Sequence, residues 1–193
     1  MDAMYTEDKT FDKIDFTQNP LPKGEYENCK FINCDFSNAN LSEIKFSETE
    51  FRGCNLSLVK LHQTALRDIK FKECKMLGLE FGNCSQFGLA VNFEDCNLTH
   101  SSFLEMKIRK TVFKNCQLHE VEFSESDLSG SYFDNCDLQN AIFENSILNK
   151  ADLRTSFNYS INPEVNRLKK AKFSLSGLPG LLDQYELEVD RLA

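Results

Sequence analysis

Eight cysteines and three histidines are the residues of this 193-residue chain best equipped for chemistry. Such residues build zinc sites, redox pairs or disulfides when they cluster. Here they form a column instead. Cys34, Cys54 and Cys74 are spaced by twenty residues, as are Cys96, Cys116 and Cys136, with a two-residue slip between the sets. Two residues after each comes a large apolar side chain: Phe36, Leu56, Met76, Leu98, Leu118 and Leu138. His62 is alone. His100 and His119 fall one repeat apart on outward positions with Glu120 adjacent, which reads as solvated surface rather than a metal site. The sequence has no G-x-S-x-G, G-x-x-x-x-G-K-[ST], H-E-x-x-H or C-x-x-C motif, so no catalytic, cofactor or metal site is expected and the chain does not read as an enzyme.

The elements that carry these cysteines follow a period of five. A large apolar residue recurs from Phe31, Phe36, Leu41 and Phe46 through Phe81, then from Phe93 through Leu153. Every fourth one is phenylalanine across Phe31, Phe51, Phe71, Phe93, Phe113 and Phe133. A small residue precedes most of them by two positions, as at Cys29, Ala39, Thr49, Ser101 and Ser131. Period five fits neither a helix nor a flat strand. It fits a chain that turns a corner every five residues, four sides closing one twenty-residue coil. Stacked coils lie roughly 4.8 Å apart and pair backbones with their neighbours. Seven cysteines occupy the small inward slot, and Cys84 does too if the frame runs on past Phe81. There cysteine is a small buried hydrophobe. A straight ladder of thiols cannot converge tetrahedrally on zinc.

Ala39-Asn40-Leu41-Ser42, Ser126-Asp127-Leu128-Ser129, Cys136-Asp137-Leu138-Gln139 and Ala151-Asp152-Leu153-Arg154 resemble the A-(D/N)-L-x-x consensus of the pentapeptide-repeat proteins. The resemblance covers about residues 11 to 158. It implies an all-β solenoid, a right-handed quadrilateral β-helix. Ile44, Val59, Ile69, Leu79, Met106 and Val121 are bulkier than the family's small residue and are expected to widen or bow their sides.

The formal net charge of −8 argues against direct nucleic-acid binding and leaves basic protein surfaces as partners. The side carrying Leu41, Leu61, Phe81, Phe103, Phe123 and Phe143 holds Glu43, Glu80, Glu105, Glu122, Glu125 and Glu144 on outward positions, against Lys60. The next side holds Lys45, Arg67, Lys107, Arg109, Lys110 and Lys150, against Glu48, Asp68 and Asp127. Six carboxylates over six coils give about one per 5 Å, against about one phosphate charge per 1.7 Å of duplex. A solvated face explains such a stripe as well as duplex mimicry does. No apolar run approaches the roughly 20 residues of a membrane span, and the N-terminus lacks the marks of a secretory signal, so the chain reads as cytoplasmic.

Two irregularities remain. Gly82–Asn92 holds the frame slip, where Phe87 or Leu89 is expected to be pushed outward. The β-helix is expected over 1–158. Beyond it, 159–193 reads as a last repeat with short helices: Asn162-Pro163-Glu164 as a helix start running through Leu168, and 178–185 as a terminal helix. This ending resembles the Qnr-type fluoroquinolone-resistance branch of the family through Phe173, Leu181, Leu182, Tyr185, Leu187 and Val189. The stretch Leu77–Cys84 also resembles that branch. The resemblance implies a homodimer joined through Leu178, Leu181, Leu182, Tyr185, Leu187 and Val189. It also implies a non-enzymatic rod that mimics duplex DNA and binds gyrase or topoisomerase IV through the acidic stripe. Many members of that branch carry longer projecting loops, where this chain has only a two-residue slip. The competing expectation is a passive scaffold.

Overall fold

The computed structural model describes residues 4–187. The chain winds as a four-sided parallel β-solenoid of about seven turns. One sheet stacks β1 (Met4–Glu7), β3 (Gly24–Glu27), β5 (Lys45–Ser47) and β7 (Ala65–Arg67). The other stacks β2 (Thr10–Asp12), β4 (Lys30–Ile32), β6 (Glu50–Arg52), β8 (Ile69–Lys72), β9 (Val91–Glu94), β10 (Val112–Lys114) and β11 (Tyr132–Asp134). Every pairing is parallel, and Phe31, Phe51, Phe71, Phe93, Phe113 and Phe133 stand in direct register. The seven-stranded sheet is face 1, and the four-stranded sheet lies on face 4. Face 2 carries Phe36 and its column and face 3 carries Leu41 and its column; isolated bridges such as Asp35↔Asn55 and Ser102↔Glu122 hold these two.

The corners explain the period. Nearly every fifth residue lies in the left-handed region, including Asn33 at φ 51°, Asn38 at 58°, Asn115 at 52°, Asn135 at 52° and Gly130 at 70°. Asparagine and glycine tolerate that conformation best, which is why they recur there. The Asp or Asn before each central residue helps make the turn. Asp35, Asn97 and Asp127 accept the amide two residues on at 2.8, 3.0 and 3.0 Å.

The inward slot has its own reason to be small and polar. Its side chain donates to the buried carbonyl of a central residue one coil below, in some coils beside a backbone amide that bonds the same oxygen. Cys54 Sγ reaches Phe31 O at 3.3 Å, Cys74 reaches Phe51 O at 3.3 Å, Thr64 Oγ1 reaches Leu41 O at 2.9 Å and Ser146 Oγ reaches Phe123 O at 2.9 Å. The six bulkier slot residues are all buried. Face 1 rings stack at 4.9 Å for Phe31–Phe51 and 5.1 Å for Phe93–Phe113, and meet the face 3 rings edge-on, as at Phe93–Phe103, 6.0 Å and 79°. Such pairs add about 0.5–1.5 kcal/mol each beyond the area they bury.

The slip falls at the corner between faces 4 and 1. Ser85 still bridges Ala65, so the frame holds to that point, and Cys84 is buried as the frame requires. Gln86 then stands outside where a large apolar residue would point in, and Leu89 packs against the core instead. Of the two candidates for expulsion, Phe87 is the one expelled, at 79% exposure, with the Arg67 guanidinium 5.4 Å from its ring centre and Gly88 turning at φ 72°.

Asn162–Leu168 is not the helix that its sequence suggests. Asn162 Oδ1 does accept the Glu164 amide at 2.8 Å, but the chain continues as a coil. Arg167 bridges Ile147, and Asn166 fills the slot, donating to Phe143 O at 2.7 Å. Pro163 stands twenty residues after Phe143 and Leu168 twenty after Leu148, so the repeat outlasts its consensus. The terminal helix is two short 3-10 segments, Leu175–Leu181 and Asp183–Tyr185. Among the described residues, no helix is long and apolar enough to cross a membrane.

Candidate partner-binding faces

All eight cysteines are buried and free. Burial pushes the Cys84 thiol up to about 12, and burial likewise raises Cys34. The Cys84 and Cys34 thiols are thereby kept protonated, and all eight are shielded from solvent, the opposite of a reactive cysteine. The two histidines diverge to separate carboxylates: His100 Nδ1 lies 3.3 Å from Glu120, and His119 Nε2 lies 2.8 Å from Asp137. Among the described residues, no group of three or more His, Cys, Asp or Glu side chains converges as a metal site.

The acidic side chains divide into two populations. Glu43 is paired with Lys23, one coil below, at 3.0 Å, and Lys60 occupies the next coil. The N-terminal half of the stripe is therefore neutralised. Glu80, Glu105, Glu122, Glu125 and Glu144 have no cation within ion-pair distance among the described residues. Glu80, Glu105, Glu125 and Glu144 are exposed and Glu122 is half-buried, its Oε1 accepting the Ser124 amide at 2.9 Å. Glu105 and Glu125 occupy the same left-handed corner in successive coils, at φ 58° and 56°. The unpaired charge is thus gathered on the C-terminal half of face 3.

The neighbouring basic side of face 4 is less available than its sequence suggests. Lys45 pairs with Glu25 at 2.5 Å. Arg109 reaches Asp127, a buried carboxylate, through Nε at 2.7 Å and its terminal nitrogen at 2.6 Å. Burial alone would raise the Asp127 carboxyl, but the Arg109 and Ser129 hydrogen bonds outweigh it and hold it below the usual carboxylate range. Arg67 leans on Phe87.

The C-terminal end brings together most of the residues expected at a dimer contact. Leu178, Leu182, Tyr185 and Leu187 are exposed, Leu181 packs against the core, and Val189 lies outside the described residues. Leu175, Leu182 and Leu187 line one open hollow. Tyr185 Oη donates to Glu164 at 2.7 Å and ties the segment to the rod. Sequence reasoning missed how this cap seats. A Cβ on Gly177 would lie 1.9 Å from the Tyr159 hydroxyl, and one on Gly180 would lie 2.1 Å from the Tyr159 carbonyl oxygen. The two glycines are the only signal in the sequence, and they gain meaning only beside Tyr159. Also missed were Leu104 and Ile142, exposed apolar side chains among the face 3 carboxylates.

Comparison with known proteins agrees with this architecture. The family described as the pentapeptide repeat region matches residues 25–88 and 80–153. No curated protein matches the sequence. Two trypsin-treated variants of QnrB1, a plasmid-mediated fluoroquinolone resistance protein, superpose with a TM-score of 0.65 each. One is 17% identical over 98% of this chain and 100% of its own; the other is 18% identical over 97% and 98%. At that identity the likeness is one of fold. HetL from the cyanobacterium Nostoc, a pentapeptide repeat protein involved in heterocyst differentiation regulation, aligns over 88% of this chain and 85% of its own at 16% identity and a TM-score of 0.43. On the match of its repeats from residue 25 to residue 153, the chain belongs to the pentapeptide-repeat family.

Proposed function

We propose that this protein is a non-enzymatic binding rod that presents the C-terminal half of face 3 to a basic partner surface, with type II topoisomerase the partner to test first. One observation carries the reading: Glu80, Glu105, Glu122, Glu125 and Glu144 stand without an ion-pair partner among the described residues along one side of a rigid stack, and no lysine or arginine occupies an outward position of that side between Glu80 and Asn145. An unmatched row of like charge raises the potential along that side and steers basic surfaces to it. The whole-length likeness of fold to QnrB1, a fluoroquinolone resistance protein, supports the choice of partner. The exposed Leu178, Leu182, Tyr185 and Leu187 support a homodimer joined at the C-terminal end.

The test is a gyrase supercoiling assay with and without this protein and a quinolone. The wild type alters supercoiling or quinolone inhibition, more strongly at low salt. Reversing Glu105, Glu122 and Glu125 to lysine abolishes the effect. Lys110 and Lys150 reversed to glutamate are the matched control, because Arg109 is committed to Asp127. If the wild type leaves gyrase and topoisomerase IV untouched at every salt concentration, the rod is a passive scaffold and the acidic row is a solvated face.

A further inference from the structure

Face 3 carries more than charge. Leu104 and Ile142 are 44% and 42% exposed on the same surface as Glu105, Glu122, Glu125 and Glu144. They stand two coils apart, about 10 Å along the axis at roughly 4.8 Å per coil. Glu122 lies in the coil between, in bridge register with Ser102 on one side and Ile142 on the other. Ile142 also lines a shallow groove with Val165, exposed one coil further on. From Glu80 to Asn145 the outward positions of this face hold five carboxylates and no base. Val112 and Tyr132 make a useful contrast. They are exposed and adjacent on face 1, but charges of both signs surround them, with Lys114 and Glu94 paired at 2.9 Å.

A duplex mimic has no use for Leu104 and Ile142, since a groove built for phosphates offers hydrated cations. Charge complementarity asks for lysine and arginine at the rim of the partner, and the apolar pair asks for apolar side chains about 10 Å apart at its centre. A helix rises about 10.5 Å in seven residues, so apolar positions i and i+7 meet that spacing while its flanks carry the bases. We propose that face 3, from Leu104 to Val165, docks a basic amphipathic helix of a partner protein. Its apolar stripe lies on Leu104, Ile142 and Val165, and its lysines and arginines meet Glu105, Glu122, Glu125 and Glu144. This rests on the partner-binding role of face 3 proposed above and narrows the partner's chemistry.

The experiment uses the full chain and two fluorescent 18-residue peptides made only of lysine and leucine. One forms a helix with its leucines on a single face, and the other has the same composition scrambled. The one-faced helix binds at least tenfold tighter than the scramble. Leu104→Ser with Ile142→Ser removes that difference, whereas Val112→Ser with Tyr132→Ser keeps it. Unchanged circular dichroism and melting show that both double variants fold. Equal binding of the two peptides overturns the proposal, as does binding by neither, or selectivity that survives the face 3 variant. The supercoiling assay separates the two ideas. A wild-type protein that acts on gyrase but binds the two peptides equally leaves the topoisomerase reading standing and sinks this one. Peptide selectivity with no effect on gyrase does the reverse.

Discussion

The thiol of Cys136 donates to the backbone carbonyl of Phe113, one coil below, at 3.3 Å. The same bond recurs at Cys54, Cys74, Cys116, Ser131 and Ser146, so Cys136 is one of a set of interchangeable hydrogen-bonding groups. Cys136→Ala removes that bond and costs about 0.5–1.5 kcal/mol. Cys136→Ser keeps a donor, as Ser131 and Ser146 do in their own coils, and costs less. Urea denaturation of the two variants measures the difference. A thiol-reactive dye labels few of the eight cysteines in the native protein.

Phe93 is fully buried, stacked on Phe71 at 5.3 Å and Phe113 at 5.1 Å and edge-on to Phe81 and Phe103. Truncation to alanine costs about 3–5 kcal/mol, because neighbouring coils hold their spacing and the cavity stays open. The loss centres on adjacent coils, since each touches only its neighbours. Hydrogen exchange by coil tests this, and an unchanged melting temperature contradicts it.

Gly180→Ala places a methyl group against a backbone oxygen that cannot step aside. The 3-10 cap lifts from Tyr159 and breaks the bond from the Ile161 amide to the Gly180 carbonyl, now 2.8 Å. The expected outcome is a lower melting temperature with increased binding of a hydrophobic dye at the exposed end. Ser176→Ala, in the same segment, has a much smaller effect.

Stability falls in alkali. The Cys84 thiol, held near 12 against an ordinary 9.0, stays protonated in the fold while the unfolded chain ionises. A raised folded pKa gives stability that is intact below about pH 9 and is lost as pH rises toward 12. At pH 10 this one thiol costs on the order of 1 kcal/mol of stability. Cys84→Ala flattens the slope between pH 9 and 11 in denaturant titrations.

The homodimer proposed for the C-terminal end rests on the exposed Leu182 and Leu187. Sedimentation of the full chain at micromolar concentration gives a dimer, and Leu182→Asp with Leu187→Asp gives a monomer that keeps its solenoid spectrum. A monomeric wild type sinks the C-terminal contact.

The repeat was legible because a strict period leaves each column visible: phenylalanine inward, cysteine in the slot, asparagine at the corner. Cys84 could be assigned to the slot by counting alone. Asn162-Pro163-Glu164 misled because an asparagine that accepts the amide two residues on begins a helix and a tight corner alike. The twenty-residue count from Phe143 to Pro163 distinguishes them, but proline at a central position hides it. Glu43 looked free because its partner, Lys23, lies twenty residues earlier, outside any local window. Leu104 and Ile142 were invisible because the repeat assigns outward positions without saying which neighbours share a surface. The Tyr159 cradle was illegible because it depends on an approach of backbone to ring that no period encodes.

Parallel stacking also governs how the chain finds this structure. The Leu56 amide bonds to Lys75 and the Asn55 amide to Cys34, so each ladder bond closes a loop of about one coil. No pairing waits for distant ends to meet, as it must in a β-sandwich. For a chain of 193 residues, separations near twenty correspond to a relative contact order of about 0.1, in the range of helical bundles. An all-β rod of this kind assembles one coil upon the last, and each new coil has its template in place as soon as its own twenty residues are free to move.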